Sequence, residues 1–75
     1  SAEAQSERME AVADTFSSRA RAIDRLDGIT IDLGEGTWFN IRASNTEPLL
    51  RLNAEAPTRA GVDELTAEVL AIIRA

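Results

Sequence analysis

The sequence predicts an α+β fold: a small antiparallel β-sheet of three strands with two flanking α-helices. Three observations carry that expectation. A segment at each end of the chain repeats apolar residues at helical spacing, and the middle alternates apolar and polar residues. Asp27-Gly28 and Gly34-Glu35-Gly36 then cut the middle into strand-sized pieces. A length of 75 residues suits a single small domain, residues 1–75.

Each element has its own warrant. Met9, Val12, Ala13, Phe16, Ala20 and Ile23 fall on one stripe of the first helix, with Glu7, Arg8, Glu10 and Asp14 mostly on its other faces. Propensity alone lets this helix run to Leu26, where Asp27-Gly28 turns the chain. In the first strand Ile29, Ile31 and Leu33 alternate with Thr30 and Asp32, and Gly34-Glu35-Gly36 makes a hairpin connection. In the second, Thr37–Arg42, Phe39 and Ile41 point one way while Trp38, Asn40 and Arg42 point the other. In the third, Leu49–Glu55, Leu50, Leu52 and Ala54 oppose Leu49, Arg51, Asn53 and Glu55. Two-faced strands of this kind place one sheet face under helices. Pro57 closes the third strand, because proline donates nothing to a ladder. Thr58 caps the final helix, whose stripe of Val62, Leu65, Val69, Ile72 and Ile73 is core and whose end lies near Arg74.

Composition removes several function classes. The chain has no cysteine and no histidine, so thiolate zinc sites, disulfides and His-based triads are excluded. Asp24, Asp27, Asp32 and Glu35 match no calcium-loop spacing and read as solvated charges. A net charge of −5 argues against nucleic acid, whose binders need a basic field. No apolar run approaches membrane-spanning length and the N-terminus has no signal-peptide pattern, so the expected location is cytoplasmic.

The chemistry concentrates in residues 42–48, between the second and third strands. Arg42 offers a planar fork that can hold two oxygens of one anion, and Ser44 and Thr46 each add a hydroxyl donor. Asn45 tolerates left-handed backbone, so successive amide N–H groups can curl into an anion-binding nest. Pro48 marks where the loop stops, and Glu47 is placed to brace Arg42 or Arg51. An ordinary hairpin connection is also built from Ser, Asn and Thr, so two readings stand: an anion grip or a plain turn. Arg51 is open in the same way, as a second contact to the anion or an exposed cation among carboxylates. Trp38, on the polar face, either meets a neighbouring domain or simply covers sheet.

Arg42-Ala43-Ser44-Asn45-Thr46-Glu47-Pro48 resembles the phosphate-binding loop of the α-D-phosphohexomutases, in their phosphomannomutase/phosphoglucomutase branch. The likeness runs without a gap from Asp27-Gly28-Ile29 through Gly36-Thr37-Trp38-Phe39-Asn40-Ile41 to Leu49–Ala56. It implies the family's last domain, which has a broad fold likeness to the TATA-binding protein, and an earlier stop for the first helix, near Ser18 or Arg19. Ala22–Leu26 would then be extended. Members interconvert hexose 1- and 6-phosphates through a phosphoserine and a bisphosphorylated sugar. The nucleophile lies in another domain, and so do the Mg²⁺ ligands and the residues that read the sugar. The resemblance assigns Arg42, Ser44, Asn45 and Thr46 to the substrate's non-transferring phosphate, with no catalytic or metal-binding residue in this chain. Members carry Gly or Asn at the position of Asn45.

The resemblance thus implies the C-terminal piece of a larger enzyme, inactive alone, with a phosphorylated mannose or glucose and the enzyme's other domains as partners. The family's strand ahead of the first helix is not recognisable here, so an exposed sheet edge and weak self-association are expected. The alternatives are a free-standing sugar-phosphate-binding module and a structural or interaction domain without catalysis.

Overall fold

Phe39 and Ile41 are completely buried, and their spacing of two fixes which face of the central strand meets the core. The computed structural model describes residues 2–44 and 49–75. Its elements run α1 (Ala2–Phe16), β1 (Ala22–Asp24), β2 (Ile29–Gly34), β3 (Thr37–Ala43), β4 (Leu50–Glu55) and α2 (Arg59–Ile73). The strands form one antiparallel sheet in the order β1-β2-β3-β4. Both helices pack on the same face, giving the α+β architecture expected from the sequence.

The sheet has four strands rather than the three expected. The extra one, β1, is three residues long and exposed throughout, so it carries no apolar alternation to betray it. It pairs Ala22 with Asp32 and Asp24 with Thr30, and the Arg21 N–H donates to the Asp32 carbonyl at 2.7 Å. To supply this strand, α1 ends at Phe16, close to the stop near Ser18 or Arg19 that the resemblance implies and well short of the Leu26 that propensity alone allows. The Arg19 and Ala20 N–H groups both donate to the Phe16 carbonyl, at 2.9 and 3.0 Å, and turn the chain back. Ser17 and Ser18 suit such an exit, since serine competes with helical backbone for hydrogen bonds.

Val12, Ala13 and Phe16 of α1 meet Ile29 and Ile31 of β2, Phe39 and Ile41 of β3, and Leu65 and Val69 of α2. The Phe16 and Phe39 rings meet edge to face with centroids 4.9 Å apart, a geometry that adds to plain burial. Above Phe16, the Arg19 guanidinium lies 4.2 Å from the ring centroid and pairs with Glu68 at 2.5 Å. One arginine thereby ties the end of α1 to α2.

Turn chemistry closes the elements. Gly34, Glu35 and Gly36 all have positive φ, at 86°, 55° and 76°, and the Gly34 N–H donates to Asp32 Oδ1 at 2.8 Å. Thr58 Oγ1 accepts from the Gly61 N–H at 3.0 Å, so Thr58 is the N-cap of α2, as its sequence position predicts. Arg25 forms a fork on Glu10 and, chiefly through that hydrogen bond, holds the Glu10 carboxyl below its ordinary range. That contribution is present above the ordinary glutamate value and fades as pH falls through the lowered one.

Phe39→Ala removes a ring from the middle of the core and should cost about 3–5 kcal/mol. A small domain holds only about 5–10 kcal/mol in total, so the urea midpoint should fall by a third or more. A midpoint close to that of the parent chain would contradict this packing.

Candidate functional site

With Phe39 and Ile41 committed to the core, β3 presents Trp38, Asn40 and Arg42 on the uncovered face. β4 aligns with it so that Arg42 stands opposite Arg51, Asn40 opposite Asn53, and Trp38 opposite Glu55. The two guanidinium-bearing residues are therefore direct cross-strand neighbours at the loop end of the hairpin. Like charges in that position destabilise a sheet unless something neutralises them. Among the described residues Arg51 has no ion-pair partner, while Arg42 Nη1 lies 3.0 Å from Asp27 Oδ2.

A compact turn delivers Asp27. Gly28 has φ 68° and packs so closely on β3 that an added Cβ would lie 2.2 Å from the Ile41 carbonyl oxygen and 2.6 Å from Arg42 Cβ. Only glycine allows that approach. The Asn40 amide then donates from Nδ2 to the Asp27 carbonyl at 2.9 Å and to Thr30 Oγ1 at 2.9 Å. Asn40 pins the turn, the turn presents Asp27, and Asp27 engages one edge of the Arg42 fork. Arg42 and Asp27 are both well exposed, so the pair itself contributes little stability and its value is orientation.

The sequence reading of Asp27 as a solvated charge is thus corrected, since it is the carboxylate that meets Arg42. The expected brace, Glu47, lies outside the described residues, as do Asn45, Thr46 and Pro48. Ser44 directly follows β3, and its N–H donates to the Leu49 carbonyl at 2.9 Å, tying the two ends of the loop. Of the four residues assigned to phosphate, the structure thus places Arg42 and Ser44, two apart at the end of β3. Asp27, Asn40 and Gly28 carried no site assignment. Asn40 was findable in principle, being a polar residue in mid-strand on the parity of Arg42.

Asp27, Trp38, Asn40, Arg42, Arg51 and Glu55 border one open concavity on this face. Trp38 is half-buried at its far end, two cross-strand pairs from Arg42. Two arginines side by side, with a single carboxylate on one of them, carry the kind of donors that can hold a small anion. No group of three or more metal-ligating side chains occurs among the described residues.

Residues 2–72 match the family described as phosphoglucomutase/phosphomannomutase, C-terminal domain. The chain belongs to that family. It is 47% identical over 51 residues to a phosphomannomutase of Methanocaldococcus jannaschii, covering 68% of this chain and 11% of that protein. It is 43% identical over 56 residues to a phosphopentomutase of Thermococcus kodakarensis, covering 75% of this chain and 12% of the relative. Identity is again 43%, over 61 residues, to the phosphohexose mutases of Xanthomonas campestris, covering 79% of this chain and 13% of theirs. The chain thus spans only about an eighth or less of the length of these relatives.

Gly28→Ala should both destabilise the domain, by more than about 1 kcal/mol, and separate the Asp27–Arg42 pair. The check is a denaturation midpoint together with the Arg42 side-chain Nε–H resonance. A variant with the parent's midpoint and an unmoved Arg42 signal would contradict the close packing of turn and strand.

Proposed function

We propose that this chain is the substrate-phosphate grip of a phosphohexomutase, with Arg42, Ser44, Asn45 and Thr46 holding the phosphate that is not being transferred. Arg51 joins them as a second cation. The observation that carries the reading is the cross-strand Arg42–Arg51 pair beside the Arg42–Ser44 strand end. A phosphate between the two guanidinium groups removes their repulsion and gains charge-assisted hydrogen bonds from both. The relatives' names support the phosphate end rather than the sugar end. They differ in the sugar, from mannose to pentose to hexose, and have a phosphosugar mutase in common.

In such an enzyme the grip breaks no bond. Its part is positional: holding one phosphate fixes the reacting hydroxyl near the nucleophile, and binding energy far from the chemistry stabilises the transition state. The phosphoserine and the Mg²⁺ that accompany this chemistry belong, on this reading, to other domains. The substrate proposed is a hexose phosphate of the mannose or glucose type.

The test is an amide chemical-shift titration of the chain with mannose 1-phosphate, with mannose as the uncharged control. Shifts at Arg42, Ser44 and Arg51 that saturate near millimolar sugar phosphate are expected, an affinity worth about 4 kcal/mol. Mannose should leave these signals in place, and Arg42→Ala should weaken the phosphate response at least about tenfold. An Arg42→Ala variant that binds as well as the parent would refute the assignment.

A further inference from the structure

The two arginines occupy only one end of their concavity. Its volume is about 1060 Å³, far more than a phosphate fills, and it runs along the uncovered sheet face from Arg42 and Arg51 to Trp38 and Glu55. Strand register sorts that face into three rows: Arg42 opposite Arg51, Asn40 opposite Asn53, and Trp38 opposite Glu55. Successive rows are two residues apart, or about 7 Å along the strands.

Hydrogen-bonding character changes from row to row. The arginines only donate, an asparagine amide both donates and accepts, and the Glu55 carboxylate only accepts. In the middle row Asn40 directs its Nδ2 to the Asp27 carbonyl and the Thr30 hydroxyl. Beside it, Asn53 is exposed, and nothing among the described residues bonds to its side chain. Glu55 enters no ion pair among the described residues either.

A phosphorylated sugar carries matching groups in the same order. Its phosphate oxygens accept from the arginines, and its ring hydroxyls both donate and accept. In a sugar 1-phosphate the ring begins a single ester oxygen from phosphorus. With the phosphate on the arginine row, the ring therefore lies over the next row, at Asn53. Beyond it the half-buried Trp38 offers an apolar ring face and an N–H donor, which suit the C–H side and the hydroxyl edge of a pyranose. A reversed ligand would set its phosphate beside Glu55, so charge fixes the direction.

We propose that Asn53 and Trp38 form a subsite for the hexose ring of the phosphorylated ligand, a contact of this chain with the sugar itself. The subsite rests on the phosphate grip proposed above and adds to it a preference for a sugar ester over a smaller phosphate ester. Asn53 hydrogen-bonds a ring hydroxyl, and Trp38 covers the apolar side of the ring. On so open a face the gain is modest, since one neutral hydrogen bond changes affinity only several-fold.

The test compares mannose 1-phosphate with methyl phosphate, which carries the same ester group without the ring. Each is titrated into the chain while the Arg42 and Arg51 side-chain Nε–H signals are followed. Mannose 1-phosphate should bind at least about threefold more tightly. Asn53→Ala should remove that preference and leave the affinity for methyl phosphate unchanged. Because Asn53 is exposed, the variant should keep the parent's denaturation midpoint. Two signals of the parent chain ask the same question without any substitution. The Asn53 Nδ2 protons and the emission of Trp38, the one tryptophan in the sequence, should respond to mannose 1-phosphate and not to methyl phosphate. Equal affinities for the two esters overturn the inference and leave the phosphate grip standing. A preference that survives Asn53→Ala overturns it too, as do Asn53 and Trp38 signals that respond alike to both esters. A chain that binds neither ester refutes the grip, and the subsite with it.

Discussion

The period of two along β3 is the constraint on which the site depends. Phe39 and Ile41 must be buried, since with Phe16 they form the centre of the core. Once they are, Trp38, Asn40 and Arg42 have no choice of face. A slip of one residue would turn Arg42 into the core, at a desolvation cost the fold has no partner to offset. Burial of two apolar side chains therefore aims a guanidinium without contact between them.

Direction alone would leave Arg42 a flexible side chain on an exposed sheet. The Asp27–Gly28 turn and the Asn40 amide give it a fixed neighbour, and the turn can sit so near only because residue 28 has no Cβ. The opposing Arg51 then concentrates positive charge on one spot of a molecule whose net charge is −5. A long polyanion meets mostly repulsion from such a molecule, whereas a single phosphate feels chiefly the two arginines nearest it. Local geometry and overall charge both favour the small anion proposed as the ligand.

Most of the fold was legible because it rests on patterns that sequence displays. Alternation gave β2, β3 and β4, helical spacing gave both helices, and Thr58 announced the start of α2. What escaped was decided by contacts instead. β1 is too short and too exposed to show a period, so only the family resemblance implied extended chain at Ala22–Leu26 and an early stop for α1, which the structure puts at Phe16. At the candidate site, residue type and loop position singled out Arg42 and Ser44, which the structure places two apart at the end of β3. The partnership of Asp27 with Arg42 was not, because it depends on how a turn fifteen residues earlier packs against the strand.

The central claim is that Arg42 and Arg51 act together on one anion. The most direct measurement follows both arginine side-chain Nε–H resonances during a titration with inorganic phosphate, with chloride at matched ionic strength as the control. The account predicts that the two signals move together along one binding curve and that chloride moves neither. Two unrelated curves, or a response confined to one arginine, would contradict it.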